Sequence, residues 1–121
     1  MNTPRVRTFA LLLLASLLVA AGATGGDCYA DLSARLEHEE AVGNLTHLQF
    51  TVDVSTQASC ANIEYDLVIE IQLENGHTKK VRKIRHVKLN DGSLTEYVRH
   101  EMPNTSSLIG HEVKLVDCTS C

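Results

Sequence analysis

The stretch Ile63-Glu64-Tyr65-Asp66-Leu67-Val68-Ile69-Glu70-Ile71-Gln72-Leu73-Glu74 decides the fold class. In an extended chain Ile63, Tyr65, Leu67, Ile69, Ile71 and Leu73 fall on one face. Glu64, Asp66, Val68, Glu70, Gln72 and Glu74 fall on the other. A helix would scatter these residues around its circumference, whereas a half-buried strand sorts them into a dry and a wet row. Leu48, Phe50, Val52 and Val54 repeat the pattern against His47, Gln49, Thr51 and Asp53. One wet face per strand is the mark of an antiparallel sheet.

The punctuation agrees. Asn75-Gly76 follows the long strand at once and is a strong hairpin signal. Asn90-Asp91-Gly92-Ser93 is a second turn, and Pro103 to Ser107 is a polar loop. Strands are therefore expected at 29–39, 46–55, 62–74, 78–89, 94–102 and 109–117. That spacing predicts an all-β sandwich or barrel. The stretch 29–41 also reads as a helix, being rich in Ala, Leu and Glu. Alternation of Ala30, Leu32, Ala34 and Leu36 with Asp31, Ser33, Arg35 and Glu37 favours the strand.

Working outward, the start of the chain carries a different signal. Arg5 and Arg7 precede an apolar run from Phe9 to Ala21, and Ala21-Gly22-Ala23 fits a small-residue cleavage site. Residues 1–23 are expected to be a secretory signal peptide that is removed, leaving 24–121 as a single domain. The mature chain is then expected to be periplasmic or secreted, with no membrane insertion. Of the 11 Lys and Arg, Arg5 and Arg7 would leave with the signal, so nine would face 15 Asp and Glu, a net charge of −6. That balance argues against general binding to nucleic acid, which depends on neutralising phosphates.

A domain this short needs staples beyond its core. An even count of four cysteines in an exported chain reads as two disulfides. In a sandwich whose strands alternate in direction, the chain start, the loop between strands two and three, and the end of strand six share one pole. Cys28, Cys60, Cys118 and Cys121 are therefore expected together at that pole. Cys28–Cys60 with Cys118–Cys121 is the preferred pairing, and Cys28 and Cys60 each clipping the tail is the alternative. Cys118-Thr119-Ser120-Cys121 is also a CxxC, but no helix follows it to lower a thiol pKa. A metal or redox module using the four cysteines is the rival reading. No cofactor is expected.

Residues 79–88 hold Lys79, Lys80, Arg82, Lys83, Arg85 and Lys88, six of the 11 basic residues. One reading is an edge strand defended by charge, paired through the Asn75-Gly76 hairpin with the acidic row of strand 62–74. The other is a basic stripe that binds an acidic partner or polysaccharide. Reversal of Lys80, Arg82 and Lys88 to Glu is expected to leave the fold intact. The histidines His38, His47, His77, His86, His100 and His111 form no HxH, HxxH or HExxH motif. His86 and His100 lie on successive strands and invite a test of proximity. Asn44-Leu45-Thr46 and Asn104-Thr105-Ser106 are glycosylation sequons if the source is eukaryotic. Motifs for a nucleophile elbow, a phosphate loop or a metalloprotease helix are missing, so a non-enzyme is expected.

The layout over about 46–117 resembles small immunoglobulin-like or fibronectin-III-like modules of bacterial cell envelopes. The resembling elements are the strand Leu48 to Val54, the strand Ile63 to Leu73 with its Asn75-Gly76 hairpin, the Asn90-Asp91-Gly92 turn, and Leu94 to Met102. Bacterial cell-adhesion-related domains and FxLYD-type domains look similar in this order. Small periplasmic curli-system inhibitors also resemble the chain in size, export and a cysteine before the third strand. Their Cys-x-Cys would fall on Cys60-Ala61-Asn62, where the second cysteine is replaced by Asn62. The resemblance implies an immunoglobulin-like antiparallel β-sandwich of about six or seven strands, stapled by disulfides. It implies a binding or structural module that recognises a protein partner in the envelope, or a chaperone-like inhibitor of a secreted or amyloid-forming subunit.

Overall fold

The computed structural model describes residues 27–121, so the expected signal segment at 1–23 lies outside the described residues. Six strands follow one another: β1 (Ala30–Val42), β2 (Leu45–Thr56), β3 (Cys60–Gln72), β4 (Thr78–Asn90), β5 (Ser93–Pro103) and β6 (Ser107–Ser120). They form two three-stranded antiparallel sheets, ordered β1-β2-β5 and β4-β3-β6. The described residues contain no helix, and 30–42 is strand. This is the antiparallel all-β sandwich that the alternation and turn spacing predict, with six strands in two sheets.

The two dry rows meet face to face. Leu48, Phe50, Val52 and Val54 of β2 pack with Ile63, Tyr65, Leu67, Ile69 and Ile71 of β3, and all are buried. Val98 and Met102 of β5, Leu89 of β4 and Cys118 of β6 complete this core. Each such aliphatic or aromatic side chain contributes about 1.5–3 kcal/mol by leaving water, which is why the two central strands carry the longest apolar rows. Leu32, Ala34 and Leu36 of β1 are half-buried against the same core.

The connections differ in kind. Val42 pairs with Leu45, so Gly43-Asn44 is a two-residue hairpin, and Gly43 takes the φ of +64° that its first position requires. Asn75-Gly76 closes the β3–β4 hairpin, with Gly76 at φ +88°. Asn90-Asp91-Gly92-Ser93 turns the chain as expected, but it carries the chain from one sheet to the other. β4 and β5 therefore do not pair, and His86 and His100 sit in different sheets. At the pole opposite the cysteines, Asn104 binds two chain segments together. Its amide donates to the Gly43 carbonyl at 2.9 Å, and its side-chain oxygen accepts from the Thr46 hydroxyl at 2.7 Å. Both sequon asparagines thus lie in one knotted pair of loops.

All four cysteines gather at one pole. The bonds are Cys28–Cys118 and Cys60–Cys121, so each early cysteine clips the tail and the preferred pairing gives way to its alternative. Register explains why. Ala61 pairs with Ser120, which sets Cys60 beside Cys121 on adjacent strands of one sheet. Cys118 points into the core, where Cys28 reaches it from the β1 side. Main-chain bonds from Cys28 to Cys118 at 3.3 Å and from Cys121 to Cys60 at 3.2 Å run alongside the two bridges. Two structural disulfides belong to an oxidising environment.

Candidate interface at a cationic sheet edge

β4 is an edge strand of the β4-β3-β6 sheet. Its basic residues therefore stand where the sequence placed them, on an edge beside the acidic row of β3. The pleat divides them into two rows. Lys80, Arg82 and Lys88 share the outer face with Ile84 and His86, opposite Glu70, Val68, Asn62, Asp66 and Glu64 of β3. Lys79, Lys83 and Arg85 share the inward row with Val81, Val87 and Leu89.

The outer row is spent on β3 in its middle, at Arg82 and His86, while Lys80 and Lys88 make no ion pair among the described residues. Arg82 Nε donates to Asp66 Oδ2 at 2.6 Å. His86 Nε2 lies 3.3 Å from Glu64 Oε1, and Lys80 is the register partner of Glu70. Asp66 is the unusual member, a carboxylate only 3% exposed on what should be a wet face. Its Oδ1 is buried with no hydrogen-bond partner. Arg82 is therefore a structural cation. Its reversal would set a second carboxylate against a buried one, so the expectation that the Lys80, Arg82, Lys88 reversal spares the fold holds at most for the two lysines.

The inward row is spent only at one end. Tyr65, fully buried, donates its hydroxyl to Glu96 Oε1 of β5 at 2.8 Å, and Arg85 Nε lies 3.7 Å from the same oxygen. This Tyr65–Glu96–Arg85 chain links β3, β5 and β4 across the two sheets. Burial, then the bond to Glu96 and its charge, hold the Tyr65 phenol well above its ordinary value of 10.0. A folded pKa raised above the unfolded one gives stability that is intact below about pH 10 and lost as pH rises through the folded value. Tyr65→Phe should cost about 1 kcal/mol at neutral pH. It should also flatten the alkaline limb of the stability curve. Chemical denaturation at pH 7 and pH 11 checks both, and an unchanged alkaline limb would count against the linkage.

Lys79 and Lys83 have no carboxylate partner among the described residues and, unlike Lys80 beside Glu70, no acid in register. Their cross-strand neighbours are Ile71 and Leu67, over which their aliphatic stems can lie while the ammonium groups reach water. On the far side they face His100 of β5. Its imidazole pKa is held down by burial first, then by Lys83 and Lys79, against a smaller pull from Glu101. The open side of the sandwich between β4 and β5 thus carries uncompensated positive charge.

No family model matches this chain, and no curated protein does. Three solved structures are similar to it at the level of overall shape. A DUF1425 family member from Shewanella sp. pv-4 shares 16% identity over 77% of this chain and 83% of that one, with a TM-score of 0.45. A Bordetella pertussis protein assigned as ApaA shares 12% over 75% and 94%, at 0.36. A structural-genomics target shares 9% over 77% and 86%, at 0.34.

The other sites foreseen from sequence resolve as follows. The cysteines are all oxidised in pairs, so none is left as a thiolate ligand or nucleophile in this state. Among the described residues no group of three His, Cys, Asp or Glu side chains is placed to hold a metal. His47 lies 3.1 Å from Glu101 on the outer face of the other sheet, and His111 Nε2 donates to the Ala34 carbonyl at 3.2 Å. Two features escaped the sequence reading. One is buried Asp66, which carries no signal in an alternating row. The other is exposed Ile84, midway along the basic strand.

Proposed function

We propose that this chain is an exported, non-enzymatic binding module that recognises a protein partner in the cell envelope or extracellular space through the basic edge strand β4. The observation that carries this reading is the pair Lys79 and Lys83, cations left without carboxylates on an open sheet edge. A lysine whose charge serves only solubility needs no such company. Here two unpaired like charges share the open side of the sandwich beside His100, and an anionic partner would find both of them unneutralised. Export is supported by the two disulfides and by the Arg5-to-Ala23 segment, with 24–121 as the working domain.

The test is site-specific photocrosslinking in the native host. A crosslinker replaces Ile84 on β4 in one variant and Tyr97 on the opposite sheet in another. Both side chains are exposed. The expected result is a discrete crosslinked protein from position 84, absent from position 97, and lost when Lys79→Glu and Lys83→Glu are added. A partner captured at 97, or one at 84 that survives the charge reversal, would move the interface away from β4.

A further inference from the structure

We infer that the β4 edge takes up an extended acidic segment as a fourth strand of the β4-β3-β6 sheet, with carboxylates opposite Lys79 and Lys83 and an apolar residue opposite Val81 between them. The inference rests on the reading of β4 as an interface and specifies its occupant.

The four sheet edges are not equivalent. In β1 the register with β2 shifts between Leu36 and His38, leaving Glu37 as a bulge. β6 is shifted twice against β3, which leaves Ile109 and Val116 as the extra residues. Bulges bend an edge and break the spacing that an added strand needs. β4 runs from Thr78 to Asn90 against β3 without a shift. β5 is also regular, but its edge mixes Glu96, Arg99 and Glu101 and ends at Pro103. β4 therefore combines an even ladder with one sign of charge.

The hydrogen-bonding phase of β4 is fixed at both ends. Leu73 donates to the His77 carbonyl at 2.7 Å, and Asp91 donates to the Ser59 carbonyl at 3.1 Å. Antiparallel pairs alternate between bonded and non-bonded. In this phase the odd residues of β4 bond to β3, and Lys80, Arg82, Ile84, His86 and Lys88 turn their N–H and C=O groups to the open edge. A row of free main-chain donors and acceptors is the template for strand addition.

Charge then selects the occupant. A second copy of this chain would bring its own basic strand against β4 and be repelled, which is how lysine-rich edges prevent self-association. An acidic strand meets the same charges as attraction, so one device excludes one partner and admits another. The pleat dictates the pattern. Lys79, Val81 and Lys83 are alternate residues of one row, so the incoming segment needs acid, apolar and acid at every second position. On its other row, a residue opposite exposed Ile84 is best apolar.

The probe is the blocked peptide Thr-Val-Glu-Thr-Val-Thr-Glu-Thr, which puts Val, Glu, Val and Glu opposite Ile84, Lys83, Val81 and Lys79. Its composition-matched isomer carries adjacent glutamates. Affinity is read by fluorescence anisotropy on the disulfide-bonded chain, and main-chain pairing by amide hydrogen exchange. The spaced peptide should bind about 10-fold more tightly than the isomer. It should slow exchange at the amides of Lys80, Arg82 and Ile84. Lys79→Glu with Lys83→Glu should weaken it about 10-fold or more, with an unchanged melting temperature. Salt-sensitive binding that leaves those three amides exchanging freely would overturn strand addition and leave the interface reading standing. The same holds if a sulfated oligosaccharide binds more tightly without protecting them. If the peptide fails to bind while the charge reversal still abolishes a native crosslink at position 84, the inference falls alone. If neither responds, both fall.

Discussion

Replacing Cys28 and Cys118 together by alanine should cost the fold about 4–5 kcal/mol and lower its melting temperature by about 20–30 °C. The bridge closes a loop across a sequence separation of 90, and that closure is removed from the unfolded chain's freedom when the bridge is present. Cys60–Cys121 spans 61 residues, and loop length alone separates the two bridges by only about 0.3 kcal/mol. Position separates them further. Cys60 and Cys121 cap the β3–β6 ladder within one sheet, so their loss frays its last rung. Cys28–Cys118 ties the entry of β1 to β6 of the opposite sheet, and Cys118 is 2% exposed in the core. Its truncation adds a packing loss of about 1 kcal/mol. Calorimetry of the two double variants under non-oxidising handling should therefore rank Cys28/Cys118 as the more damaging. Equal losses would mean that the bridges act on the unfolded chain alone. Losses under about 1 kcal/mol in both would mean that packing already fixes the pole.

The positions of the strands were legible because period two survives wherever a strand pairs evenly. β2, β4 and β5 were read to within one residue at each end, and β3 was placed two residues late at both ends. The reading shortened β1 and β6, which end at Val42 and Ser120 rather than near 39 and 117. The cause is physical. A bulge inserts a residue and flips the alternation, and both strands contain bulges, at Glu37, Ile109 and Val116. The common pole of the cysteines followed from counting strand directions, which needs no knowledge of sheet membership. Pairing did need it, because Cys28 and Cys60 start strands of different sheets and both are reached by the one tail. Alternation is silent on membership, since a dry row looks the same from either sheet. That silence also hid the separation of His86 from His100. The basic residues were legible as an edge strand, but which of them are paired and which are free depends on the carboxylates that β3 and β5 bring to them.

Arg82→Ala should destabilise the chain by about 2–3 kcal/mol, far more than an exposed ion pair is worth. The guanidinium itself is largely in water, with its side chain 63% exposed, and on that ground alone the residue would be ranked as surface. Its partner decides otherwise. The Asp66 side chain is 4% exposed on the central strand, flanked in register by Ile84 and Lys114. The Lys114 ammonium lies 3.9 Å from Glu112, and Asp66 Oδ1 is already without a partner. Truncating Arg82 would leave both carboxylate oxygens unpaired in a site that water reaches poorly, and the cost is that of an uncompensated buried charge. Asp66→Val makes the opposite prediction. It removes the costly group, leaves Arg82 solvated and puts a β-branched residue on the central strand beside Ile84 and Val68, so stability should hold or rise. In the double variant Asp66→Val with Arg82→Ala, the loss caused by Arg82→Ala should almost vanish. Urea denaturation of the four chains gives this coupling directly. A loss below about 0.5 kcal/mol for Arg82→Ala would mean that solvent already reaches Asp66. The same cycle bears on the interface. An Arg82 held by Asp66 cannot turn to a partner, whereas Lys79 and Lys83 can, so substitutions at Asp66 should move stability and leave recognition by the inward row untouched.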